Sequence, residues 1–215
     1  MNLRKSVTTF LFAILIVAAA AGGQQVLAQS PAAAEIDKQE DETNLDTQLY
    51  LLVATNQDVA DAKLPPALES VVKQLRASLP FKNYRLAATL INRVKNNSRL
   101  NLKWIGGPLA ASGAVSDTNP SFNEFKVNNV KLVRDAGNQR LVRMEGFGFG
   151  VRIPITTTAF VASNAPLAPV INYESTGLNT DISMREGEPV VVGTLNIGPS
   201  GDAIILVMSA RTTAK

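Results

Sequence analysis

Several stretches hold residues whose types and spacing could do chemistry. Ser70 and Lys73 stand in the S-x-x-K spacing that places a basic amine beside a nucleophilic serine for acyl transfer. Ser116-Asp117-Thr118 only half matches the second motif of that chemistry, and no K-T-G occurs in the chain. Both Ser70 and Lys73 also fall on the polar side of a helical pattern, so a solvated helix face is the favoured reading. The acids from Glu35 to Asp46 could be read as a calcium loop, but they lack its central glycine. Gly146-Phe147-Gly148-Phe149 matches the centre of an RNA-reading strand, Lys/Arg-Gly-aromatic-Gly/Ala-Phe-Val-x-aromatic. Its flanks disagree: Glu145 replaces the base, Gly150 the valine and Arg152 the last aromatic. Nucleic acid is therefore not an expected partner. The chain contains no histidine and no cysteine. The commonest acid–base group near neutral pH is missing, and so are the usual zinc ligands. No catalytic residue, metal ligand or cofactor site is nominated, and the expected class is not an enzyme. A serine or paired-carboxylate hydrolase is the least favoured alternative.

The elements around these residues are mostly strands. In "MEGFGFGVRIPIT", Phe147, Phe149, Val151, Ile153 and Ile155 would point one way, and Gly146, Gly148 and Gly150 the other. One face would bury a core, while the other would be a groove without side chains, open to a ligand or a second backbone. "QLYLLVAT" reads as a strand buried on both faces. Pro65 and Pro66 open a helical pattern over Leu68, Val71, Val72, Leu75 and Leu79, and Pro80 stops it. Residues 84–94 satisfy both the helical and the strand period. The following "RLNLKWI" alternates strictly, and Asn96-Asn97-Ser98 between them favours a hairpin of two strands. Residues 106–121 form a long Gly/Ser/Pro loop. Consecutive hairpins follow, with turns at 135–138, at "REGE" and at "NIGPSGD". The expected fold class is α+β: a strand-rich antiparallel sheet or sandwich built from hairpins, with one main amphipathic helix.

The N-terminal segment sets the expected address. Arg4 and Lys5 precede an apolar run over residues 10–22, and Val26-Leu27-Ala28 offers a cleavage site. Residues 1–28 are expected to be a secretory signal peptide, 29–47 a disordered acidic leader and 48–215 a single domain. The apolar run is shorter than the roughly 20 residues that span a bilayer, so no transmembrane segment is expected in the mature chain. Location would be periplasmic or extracellular. Losing Arg4 and Lys5 from the 21 basic residues leaves 19 against 18 acids. Charge is nonetheless segregated, with six acids and one base over 35–46 and nine bases with one acid over 63–103. A solvated face explains this most simply, and a basic surface for an anionic partner is the sharper alternative.

The tail carries a family resemblance. "TDISMREGEPVVVGTL…AIILVMSAR" resembles the closing strands of bacterial secretins, the ring-forming outer-membrane channels of secretion and pilus systems, over about residues 178–211. The matching features are Gly187 in the turn, the strand from Val190 to Gly193 and the apolar run from Ile204 to Met208. In secretins a long insertion with a membrane-facing lip separates those two strands; here only residues 196–202 do. The resemblance implies a non-enzymatic envelope protein that assembles with a protein partner or with itself, accessory to secretion or pilus machinery. The alternative is an extracytoplasmic binding module for an anionic glycan, lipid or small ligand. Its candidate surface is Lys82, Arg85, Arg93, Lys103, Trp104, Gly146, Gly148 and Gly150.

Overall fold

The computed structural model describes residues 42–58, 64–107, 119–157, 170–197 and 201–213. The expected signal peptide, most of the leader and residues 108–118 of the long loop lie outside the described residues. The strands are β1 (Asn44–Thr55), β2 (Asn83–Lys95), β3 (Ser98–Ile105), β4 (Phe122–Arg134), β5 (Arg140–Thr157), β6 (Val170–Arg185), β7 (Val190–Ile197) and β8 (Asp202–Thr212). A 3-10 turn at Pro66–Leu68 leads into α1 (Glu69–Ser78). All pairings are antiparallel, in two four-stranded sheets ordered β2-β1-β8-β7 and β3-β4-β5-β6. The chain is mostly β. The α+β expectation is corrected to that extent, because the helix has only ten residues; residues 84–94 form a strand, as the hairpin reading expected.

The two sheets pack face to face. Leu49, Leu51, Ile204, Leu206 and Met208 of the first meet Phe125, Val127, Met144, Phe147 and Phe149 of the second in one core. On the far side of the first sheet, Val71, Val72 and Leu75 of α1 cover Tyr50, Leu52, Ile205 and Val207. The central strands β1 and β8 thus have both faces covered, and they are continuous apolar runs for that reason. Each large side chain buried there contributes about 1.5–3 kcal/mol.

Two expected hairpins are corners instead. β2 and β3 belong to different sheets, and so do β6 and β7. At the first corner Asn97 takes φ 58°, and the buried Asn96 side chain accepts a hydrogen bond from the Leu132 N–H at 2.7 Å. At the second corner Gly187 takes φ 79°, and its N–H donates to the Ala210 carbonyl at 2.7 Å. Beside it the Glu186 carboxylate accepts from the Thr212 N–H at 2.8 Å and from the Thr212 hydroxyl, with Arg140 at 3.5 Å. Each corner is therefore tied to a strand of the opposite sheet. Burial pushes the Glu186 carboxyl up, but the Thr212 donors and Arg140 outweigh it and hold the group below its ordinary value.

β1 starts at Asn44, four residues before the expected boundary at 48. There it pairs with β2 from Asn44 and with β8 from Leu45, and Leu45 is fully buried; cross-strand ion pairs line its edge. Asp46 meets Arg93 at 2.8 Å, and Glu42 meets Lys95 at 2.9 Å. Acids and bases that are segregated along the chain become cross-strand neighbours.

Candidate functional site

The glycines of β5 are not equivalent. Gly146 sits at the register shift between Met144 and Phe147 with φ +61°, and its N–H donates to Asp181 Oδ1 at 2.6 Å. That conformation favours glycine at a bulge. A Cβ there would lie 2.2 Å from the Asn128 side chain. At Gly148 a Cβ would lie 2.7 Å from both Asn179 Oδ1 and Lys126 Cε. Side chains of the flanking strands thus cover the expected groove at these two positions. Gly150 differs: a Cβ there would meet nothing within 4 Å. The inward face behaves as its alternation implies, with Phe147, Phe149 and Val151 almost fully buried.

The other candidate residues are dispersed. Arg85 and Arg93 lie on β2 at an edge of the first sheet, and Lys82 directly precedes that strand. Lys103 lies on β3 in the second sheet and pairs with Glu124 at 3.7 Å. Arg93 is engaged with Asp46: its hydrogen bond and charge hold that carboxyl below the ordinary range, against a smaller effect of burial. The four bases are therefore spread over both sheets, and Arg93 and Lys103 have acidic neighbours. The Trp104 indole turns inward, half-buried against Phe149 with ring centroids 6.4 Å apart, on the opposite face from Lys103. Ser70 and Lys73 are exposed on the outside of α1. Among the described residues no group of three or more His, Cys, Asp or Glu could hold a metal ion.

A groove of about 520 Å³ does form on the outer face of the second sheet. Strand register explains its shape. One wall is the cross-strand row Lys103, Glu124 and Gly150, continued by Gly177. The other wall is the row Ile105, Phe122, Arg152 and Ser175. Between them lies the row Trp104, Asn123, Val151 and Thr176, whose side chains alternate to the interior and leave backbone as the floor. Phe122 is 41% exposed and Ile105 66%. Tyr173 stands beside Phe122 with ring centroids 5.6 Å apart and a 57° interplanar angle, and the Arg152 guanidinium lies 5.7 Å from the Tyr173 centroid. Sequence reasoning found Gly150, Lys103 and, by its backbone, Trp104, but missed Ile105, Phe122, Arg152 and Tyr173. The usable signal was parity: with Phe125 and Val127 inward, Phe122 falls in the register that puts an aromatic ring outside.

Comparison with known proteins places the chain among resemblances only. No family model matches it, and no curated protein does. Among solved structures it is similar to secretins. The Salmonella SPI-1 type III secretion injectisome secretin InvG is 9% identical, with a TM-score of 0.34, over 86% of this chain and 69% of that one. PulD, from the Klebsiella pneumoniae type II secretion system outer membrane complex structure, is 10% identical with a TM-score of 0.38, over 86% and 43%. The Vibrio cholerae type IV competence pilus secretin PilQ is 10% identical with a TM-score of 0.34, over 80% and 59%. The chain spans less than two thirds of the PulD and PilQ chains. The partial resemblance read in residues 178–211 recurs in these matches. Superpositions with TM-scores below 0.5 transfer no function.

Proposed function

We propose that this chain is an exported, non-enzymatic interaction or assembly protein of the bacterial envelope, accessory to secretion or pilus machinery, that joins a partner or a second copy by strand addition. The observation behind this reading is the outer edge of β6. β6 ends its sheet, and among the described residues no strand pairs its outer side. It runs for sixteen residues, and the stretch from Tyr173 to Arg185 that carries the argument spans about 40 Å at the usual strand rise. Edge strands are normally blunted by lysine, proline, bulges or shortness. β2 carries Arg85, Arg93 and Lys95; β3 carries Arg99 and Lys103; β7 has eight residues and a register shift at Val191/Gly193. β6 has neither lysine nor proline, and its charges are Glu174, Asp181 and Arg185. A long edge without such protection supplies a row of backbone donors and acceptors for another strand.

Light scattering on the full chain, with crosslinking in envelope fractions, tests the proposal. Wild type should appear as an oligomer or as a crosslinked hetero-complex. The Glu174→Lys/Ser183→Lys variant should lose that species while remaining folded. A lone monomer in both measurements would refute the reading, and so would a complex indifferent to those charges.

A further inference from the structure

The fold does not require a glycine at position 150. Glycine in a strand interior costs about 0.5–1 kcal/mol relative to alanine, and it usually marks a bulge or a close approach. Gly146 is accounted for by its bulge, Gly148 by Asn179 and Lys126, and Gly177 by the Phe149 carbonyl 2.7 Å from its would-be Cβ. Gly193 is accounted for by Leu178, whose Cδ2 would lie 2.7 Å from a Cβ there. Gly150 has no positive φ and no neighbour within 4 Å of a Cβ. What its missing side chain does is keep one wall of the groove open beside Gly177.

We infer that this groove is a binding site for a linear oligosaccharide that runs across the four strands, with a sugar ring seated over Gly150. Same-face rows two residues apart are about 7 Å from each other, and four strands span about 14 Å between the outermost axes. That trough is as wide as a pyranose ring and as long as a short run of them. Its volume falls within the usual range of about 300–1,000 Å³ for ligand pockets. Its walls have the two-sided character of a sugar. Phe122, steadied by Tyr173 behind it, offers an apolar ring to the C–H face of a pyranose, and Lys103, Glu124, Arg152 and Ser175 supply donors and acceptors for hydroxyls. The Lys103–Glu124 pair and Arg152 together leave one net positive charge, which suits a neutral or singly acidic sugar unit. An extended peptide suits the trough less well, because the sheet's backbone groups are committed to the ladder and would leave peptide N–H and C=O groups unpaired. The site lies on the sheet face, so this inference does not rest on strand addition at the β6 edge.

The full chain is titrated with chitotetraose, maltotetraose and tetragalacturonate by calorimetry. Wild type should give saturable binding to at least one. Gly150→Val should weaken it at least tenfold while keeping or raising the melting temperature, and Phe122→Ala should weaken it without loss of fold. The contrast between neutral and acidic tetramers identifies the charge of the preferred sugar. Absence of binding to all three overturns the inference. So does equal binding by Gly150→Val, or binding only to phosphatidylglycerol vesicles.

Discussion

Gly150 and Gly177 face each other across β5 and β6, yet the same substitution should act on them in opposite directions. At Gly177 an added Cβ would lie 2.7 Å from the Phe149 carbonyl oxygen and 3.4 Å from the Gly150 Cα. Ordinary contact begins near 3.4 Å, so the oxygen is about 0.7 Å too close, and it belongs to a central strand held by ladders on both sides. Overpacking of this kind costs about 1–3 kcal/mol. The removal of glycine returns about 0.5–1 kcal/mol. Gly177→Ala should therefore be destabilised by about 0–2.5 kcal/mol net, lowering the melting temperature by up to about 10 °C for a domain of this size. Gly150→Ala meets no atom and keeps only the favourable term, so it should rise by about 1–4 °C. Thermal unfolding followed by circular dichroism reads both. If Gly177→Ala melts at or above wild type, or if the two variants move in the same direction, the explanation of the glycines by their neighbours is wrong.

The sheet corners give the remaining predictions. The folded-state carboxyl of Glu186 is depressed, so its contribution is present above the ordinary value of 4.5 and fades as pH falls through the folded value. Glu186→Gln should then lose about 1–2 kcal/mol at pH 7, and urea midpoints of variant and wild type should converge at pH 3. A gap of the same size at both pH values would mean that the charge is irrelevant. Asn96→Ala strands the buried Leu132 N–H and should cost about 1–3 kcal/mol in urea unfolding; an unchanged midpoint would show that water or the backbone replaces the amide.

Local chemistry was legible wherever it was one-dimensional. Pro65-Pro66 and Pro80 bracket the turn and helix, and Asp135 accepts from Gly137 and Gln139 in the turn that joins β4 to β5. Choice of sheet was not legible. Asn96-Asn97-Ser98 supplies a left-handed residue equally suited to a hairpin and to a corner. What decides between them is that β2 completes twelve paired positions with β1, while β3 finds β4. Both pairings are remote in sequence. The charge blocks failed for the same reason: Asp46 and Arg93 read as a leader and a basic face until the register sets them side by side. The groove was half legible. Alternation put Gly150 outside, but the occupants of the facing rows depend on the register of three strand pairs.

Two surfaces of the second sheet now compete for functional meaning, and their geometry keeps them separate. Strand addition at β6 would use backbone groups in the plane of the sheet. The groove uses side chains above that plane, and its Lys103 end lies on β3, at the opposite edge from β6. The Ser175 end, however, lies on β6 itself. A strand added to β6 would lengthen the row of each wall by one residue without covering the floor. Assembly would then lengthen the carbohydrate site, so affinity for longer oligosaccharides should rise with oligomeric state while affinity for a tetramer stays constant. The Glu174→Lys/Ser183→Lys variant, titrated with tetramer and octamer of the same sugar, separates these cases. Loss of the octamer advantage alone links the two surfaces, whereas equal losses for both lengths would mean that the edge substitutions damaged the groove itself.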